Sequence, residues 1–266
     1  MSASRFGSQL RRWRRARGLS QLALALEAQV SQRHISFLET DRSRPSREMV
    51  LHLGRVLDVP PREQNMLLGT AGHAPAFGET PLEELEHVAA TLESMLEAHE
   101  PNMAILLDRH WNVVRANRAA RTFTSLLFPE PPEWAGPTLN LMRLFFHPQG
   151  LRLHTSDWAL SAATLLRRLG SHAASYPNDR RLGDLYDEIR SYPGVESLGS
   201  PDVTGATHDL LVPLTFHVRG EDISMFTTIA TVGDAHDLTL AELRLETFWP
   251  LDPDSAQRWR RFMGAS

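Results

Sequence analysis

The chain has no cysteine, and no lysine either, so arginine supplies all 28 of its basic residues. Without cysteine there are no disulfides, no thiolate nucleophile, no Cys-ligated zinc and no iron–sulfur cluster. No run of eighteen or more apolar residues occurs, which argues against a membrane-spanning helix. The opening Ser2-Ala3-Ser4-Arg5-Phe6-Gly7 lacks the apolar segment of a secretion signal, and a cytoplasmic protein is expected. Catalytic signatures are missing too: there is no Gly-rich phosphate loop, no Gly-x-Ser-x-Gly elbow and no His-Glu-x-x-His. The 12 histidines are scattered; His147 and His154 would share a face only on a helix that Pro148 and Gly150 interrupt. Asp184, Asp187 and Glu188, with Arg180, Arg181 and Arg190 nearby, read as a solvated face with local ion pairs. The expectation is a protein that is not an enzyme and holds no metal or cofactor.

What is present is unevenly distributed. Residues 1–62 carry 12 arginines against Glu27, Glu39, Asp41, Glu48 and Asp58, a net charge of +7. The remainder carries −11, so a small basic head precedes a larger acidic body, and only the head invites a polyanion. Gly69, Gly72, Pro75 and Gly78 crowd within ten residues and mark a linker. The division expected is a head over 1–72, a linker over 73–80 and a second domain over 81–266.

The head reads as about five short helices. Leu10 and Trp13, then Leu22, Ala25, Leu26 and Val30, then Ile35 and Leu38, then Val50, Leu53 and Leu57 fall at helical spacing. Ser20 and Ser31 are candidate N-caps, Pro45-Ser46 opens a fourth helix, and a fifth is expected over 62–68. Gln21 to Glu39 has the pattern of a helix-turn-helix, with small Ala25 where the helices cross and Leu24, Val30, Ile35 and Leu38 pinning the second helix. That second helix would expose Gln32, Arg33, Ser36 and Phe37: Gln pairs with adenine, Arg with guanine, and an aromatic ring presses on a thymine methyl. Gln21 and Ser31, at the two helix starts, are placed for phosphate, as are Arg42, Arg44 and the first-helix arginines Arg11, Arg12, Arg14 and Arg15. Double-stranded operator DNA is the expected partner, bound by a homodimer, because one such helix reads few bases.

Gly18-Leu19-Ser20-Gln21, Val30-Ser31-Gln32-Arg33-His34-Ile35-Ser36-Phe37-Leu38-Glu39 and Arg42-Ser43-Arg44-Pro45-Ser46 together resemble the Xre, lambda-repressor-like class of helix-turn-helix domains. With Leu67–Gly72 added, the pattern is similar to its MmyB-like branch. Two positions depart from it. Gln29 occupies the tight turn and Asp41 follows the second helix, where glycine is usual; a left-handed Gln costs about 1 kcal/mol relative to Gly.

The second domain alternates differently. A helix is expected from Thr80-Pro81-Leu82-Glu83 to about His99, then a strand over 102–108, a turn at Asp108-Arg109-His110, a return strand over 111–115, and a helix over 117–127. Residues 138–192 look helical. Leu210, Val212, Leu214, Phe216 and Val218 alternate as a strand, Ile223–Val232 returns, and Glu242–Phe248 is readable as helix or strand, with strand favoured. This order predicts an α+β, PAS-like domain with an antiparallel sheet of about five strands. Leu107-Asp108-Arg109-His110-Trp111, Asn117, Phe146-His147-Pro148, Asp157-Trp158, Asp237 through Glu246, and Pro250 resemble the ligand-binding domain of MmyB-like regulators. The resemblance implies a domain that binds an apolar small molecule, with a fatty acid the suspected class. Trp111, Phe145, Phe146, Trp158, Phe216, Phe226 and Phe248 are candidates for an apolar pocket, and Arg115, Arg143, His147 and Arg152 for its polar end. A ligand-free dimerisation or protein-docking module remains the alternative.

Overall fold

Serine caps set the rhythm of the first seventy residues. Ser20, Ser31 and Ser46 each accept the backbone N–H three residues on, opening α2 (Gln21–Glu27), α3 (Gln32–Glu39) and α4 (Arg47–Val56). α1 (Phe6–Ala16) precedes them, and α5 (Pro61–Thr70) begins on a proline at its first turn. The structure, a computed structural model, describes residues 6–130, 132–198, 213–233 and 237–264. It separates into one unit of Met1–Thr80 with Ala235–Ala241, and a second of Pro81–Asp234 with Glu242–Ser266.

In the first unit Leu10, Trp13, Leu24, Ile35, Leu38, Val50, Leu53 and Leu67 form the core. Gln29 and Asp41 are both left-handed, each at φ +54°. Asp41 offsets its strain: it accepts the Gly7 N–H at 3.0 Å, tying the first turn of α1 to the end of α3. The two helices meet so closely that a Cβ on Gly7 would lie 2.5 Å from the Leu38 carbonyl oxygen.

The second unit is a sheet with helices. After a 3-10 turn at Leu82–Glu84, α6 (Glu86–Glu97) leads to β1 (Ala104–Leu107) and β2 (Val113–Ala116). α7 (Arg118–Leu127) starts at the cap Asn117; α8 (Leu141–Phe146), β3 (Thr155–Ser156), α9 (Trp158–Ser175) and α10 (Arg180–Arg190) follow. β4 (Leu214–Val218), β5 (Glu221–Thr231), β6 (Arg244–Pro250) and α12 (Pro253–Met263) complete the unit; α11 (Leu238–Glu242), between β5 and β6 in the chain, falls almost wholly in the first unit. The strands lie β2-β1-β6-β5-β4-β3, every neighbouring pair antiparallel.

The antiparallel sheet of about five strands is as expected, with a short sixth strand added where Thr155 and Ser156 pair with Phe216 and Thr215; a two-residue strand leaves no alternation to read. The helix expected from Thr80 begins only at Glu86, since Leu85 (φ −99°, ψ 56°) departs from helical geometry, and the Thr80 N–H goes to Asp237 at 3.0 Å. Glu242–Phe248 is strand from Arg244, as favoured; only Glu242 belongs to the helix before it, where Asp237 rather than Thr239 accepts at the start. α12 is an addition to the expected order. Leu210 and Val212 lie outside the described residues.

Candidate functional site

On the first unit α3 leaves Gln32 and Arg33 exposed and Ser36 and Phe37 half-exposed. The Arg33 guanidinium lies 5.1 Å from the Phe37 ring centre, a cation–π contact between residues one helical turn apart. Ser31 accepts the His34 N–H at 3.1 Å, so its oxygen serves the helix start. Arg15, Arg42 and Arg44 are exposed.

Four residues assigned to phosphate from the sequence, Arg11, Arg12, Arg14 and Gln21, have other partners, Arg11 lying 3.4 Å from Glu39. The buried Glu39 carboxylate takes Arg14 in two-pronged fashion, Nε at 2.5 Å and Nη2 at 2.9 Å, and accepts the Gln21 amide at 2.9 Å. Gln21 is therefore not the free amide expected, and Arg14 is buried. Burial pushes the Glu39 carboxyl up, but the hydrogen bonds from Arg14 and Gln21 and the charges of Arg14 and Arg11 outweigh it and hold it below the usual range. Arg12 faces the buried Glu63 at 3.9 Å. The cause is common to all four: the α1 and α2 faces that carry these residues lie beside the buried carboxylates Glu39 and Glu63.

In the second unit a cavity of about 410 Å³ lies between the sheet and helices α7, α8 and α9. Its wall is largely apolar: Met103 and Ile105 from the β1 side, Leu144 and Phe145 from α8, Phe216 from β4, and Phe248 from β6. That volume is in the range of small-molecule sites. Among its lining residues three are charged, Arg121, Arg168 and Glu246. Glu246, its side chain 3% exposed, faces Arg168 across 3.5 Å. The Arg168 guanidinium also rests 4.5 Å from the Trp111 ring centre, and Arg244 rests 4.4 Å from the same ring.

Trp111 is fully buried and left-handed, φ +67°, in the β1–β2 turn, an uncommon conformation for a bulky residue. The turn is held by Asp108, which accepts the N–H groups of His110 and Asn112. Burial first, then the charge of Arg168, lowers Arg244 to about 10, against the pull of Glu246. His172, edge-on to Trp111, is lowered to about 3, by burial and then by Arg244 and Arg168.

The model of the MmyB-like transcription regulator ligand binding domain matches residues 88–262, and a helix-turn-helix model matches residues 10–64. The chain belongs to the MmyB-like transcription regulators. No curated protein matches it closely enough to serve as a relative. The helix-turn-helix and ligand-binding domains make it a ligand-responsive transcription regulator. No helix among the described residues is long and apolar enough to cross a membrane.

In this regulator the cavity takes in some of the residues nominated from the sequence and passes over others. Phe145, Phe216 and Phe248 line it. Phe226 does not, because it pairs with Trp249 on the opposite face of β5 from Met225 and Thr227. Phe146 is plain core, and Trp158 donates its indole N–H to the Phe145 carbonyl at 3.2 Å. Trp111 stands behind Arg168 rather than at the wall. None of the proposed polar-end residues reaches the cavity: Arg115 is exposed on β2, and Arg143 is clamped on Glu188 at 2.8 Å. His147 stacks on Trp134 at 4.2 Å, burial lowering its pKa against the pull of Glu188, and Arg152 lies over Trp158. Their polar groups have partners that sequence spacing cannot reveal.

The charged residues that do line it, Arg121, Arg168 and Glu246, are absent from the sequence-based candidates. One signal was available. Arg244, Glu246 and Phe248 alternate on one face of β6, and a carboxylate on the inward face of a central strand is rare enough to mark a site.

Proposed function

We propose that the regulator binds operator DNA as a homodimer in the cytoplasm, inserting α3 into the major groove, and that the second unit is a PAS-like sensor. Its cavity takes a chain-shaped apolar small molecule, of which a fatty acid is the simplest example. Gln32, Arg33, Ser36 and Phe37 read bases, while Ser31, Arg15, Arg42 and Arg44 meet phosphate. Gln21 and Arg14 act indirectly, by holding Glu39 and thereby the angle between α2 and α3. The role is binding, not catalysis.

The 410 Å³ cavity with apolar walls and a few charged lining residues carries this reading. Such a pocket is mostly hydrophobic with a few convergent polar groups. The ligand changes DNA affinity to the extent that it binds one arrangement of the dimer better than another. Native mass spectrometry of the purified protein, followed by denaturation and extraction, tests it. A dimer carrying a stoichiometric acyl species is the expected result. An empty protein whose thermal stability is unmoved by added fatty acids and by their amides and esters would instead favour a ligand-free docking module.

A further inference from the structure

We propose that the Arg168–Glu246 couple is the head-group subsite of the cavity and selects an acyl chain whose polar end donates as well as accepts hydrogen bonds, a primary amide or a hydroxylated head, over a bare carboxylate. This rests on the cavity being the ligand site.

The rest of the cavity's polar lining is largely committed. Thr124 donates to the Ala120 carbonyl, Ser161 to Pro213 and Thr164 to Leu160, while Arg121 gives Nη1 to the Ala116 carbonyl and has no carboxylate beside it in the lining as Arg168 has. The Arg168–Glu246 couple is not. Glu246 sits on β6 between Ile105 of β1 and Ile229 of β5, so neither residue directly across from it offers its side chain a donor. Its partner among the described residues is Arg168, at 3.5 Å, the outer limit of a hydrogen bond. A buried carboxylate held by one long contact is short of donors. Arg168, about a quarter exposed, stands on the Trp111 ring and directs only Nη2 to Glu246, which leaves guanidinium N–H groups for an incoming carbonyl.

A primary amide satisfies both: its oxygen accepts from Arg168 and its N–H donates to Glu246. A hydroxyl beside a carbonyl does the same. A carboxylate accepts from Arg168 but brings no proton for Glu246, and the two carboxylates, meeting at one couple, oppose each other. Arg244 and Glu246 attract each other, but Arg244 turns its Nη2 to the Asp108 and Arg109 carbonyls and does not line the cavity, so it offers no N–H to an incoming head. An ester accepts but cannot donate, and leaves Glu246 as it was.

Titration calorimetry of the whole chain with decanamide, methyl decanoate and decanoate, at pH 8 where the free acid is ionised, separates these cases. Decanamide is expected to bind about tenfold or more tighter than decanoate, a hydrogen bond to a charged group being worth at least that factor. Glu246→Gln, which removes the charge and adds a donor, is expected to raise decanoate binding and erase the preference. Arg168→Gln is expected to weaken amide and ester together. The ranking on the unaltered protein decides without either variant. Decanoate binding as tightly as decanamide overturns the subsite while leaving the cavity reading intact. Decanoate preferred and then lost in Arg121→Gln overturns it too, by moving the head to Arg121. Binding of none of the three overturns both.

Discussion

Arg33 leans on Phe37 at 5.1 Å, so its guanidinium is already held before DNA arrives. Arg33→Ala is expected to cost about 1–3 kcal/mol on the specific operator and to relax its sequence preference. Equal loss on random DNA, measured by fluorescence anisotropy, would make Arg33 a phosphate contact. His172 gives a prediction of the opposite kind, about the fold alone. Burial, then the charges of Arg244 and Arg168, press its folded value to about 3, against an ordinary 6.5. The folded value lies below the unfolded one, so as pH drops the unfolded chain takes up the proton first. Stability is therefore undiminished above about pH 6.5 and declines below it. The melting temperature should fall between pH 7 and pH 5, and His172→Phe should flatten that slope. A slope unchanged in the variant would remove His172 as its source.

Where elements meet, the tolerances narrow. α1 touches the end of α3 through Gly7, and an alanine there drives Cβ into the Leu38 and Glu39 backbone at 2.5–2.7 Å. Backbone cannot swing aside as a side chain does, so Gly7→Ala should destabilise the first unit by about 1–3 kcal/mol, read from denaturant midpoints. A neutral result would mean α1 shifts freely along α3. Elements with local signals were legible in the sequence: Ser20, Ser31, Ser46 and Asn117 each announce the helix that follows. α12 has such a signal too, Asp252 before Pro253, though no helix was expected there. β3 has none, being defined by its pairing with β4. The head-group couple was illegible for a related reason, since Arg168 and Glu246 lie 78 residues apart and meet only when α9 covers the sheet.

At the scale of the whole chain the basic head and acidic body divide the electrostatic work. Arg42 and Arg44 are exposed at the end of α3, and replacing both with alanine in the whole chain should lower the salt dependence of DNA binding by about two units on a log–log plot. An unchanged slope would take both out of the DNA footprint. The binding class was legible at this scale because caps, spacing and charge are local properties. The extent of the first unit was not, because it draws in a segment from far along the chain: Thr80 donates its N–H to Asp237, 157 residues later. That distance is also a delay. At roughly 5–20 residues per second of synthesis, the segment that completes the first unit follows Thr80 by about 8–30 s. A nascent chain thus carries an almost finished DNA-reading head while the ribosome is still making most of the second unit, and the head's last hydrogen bond waits for that work to be nearly done.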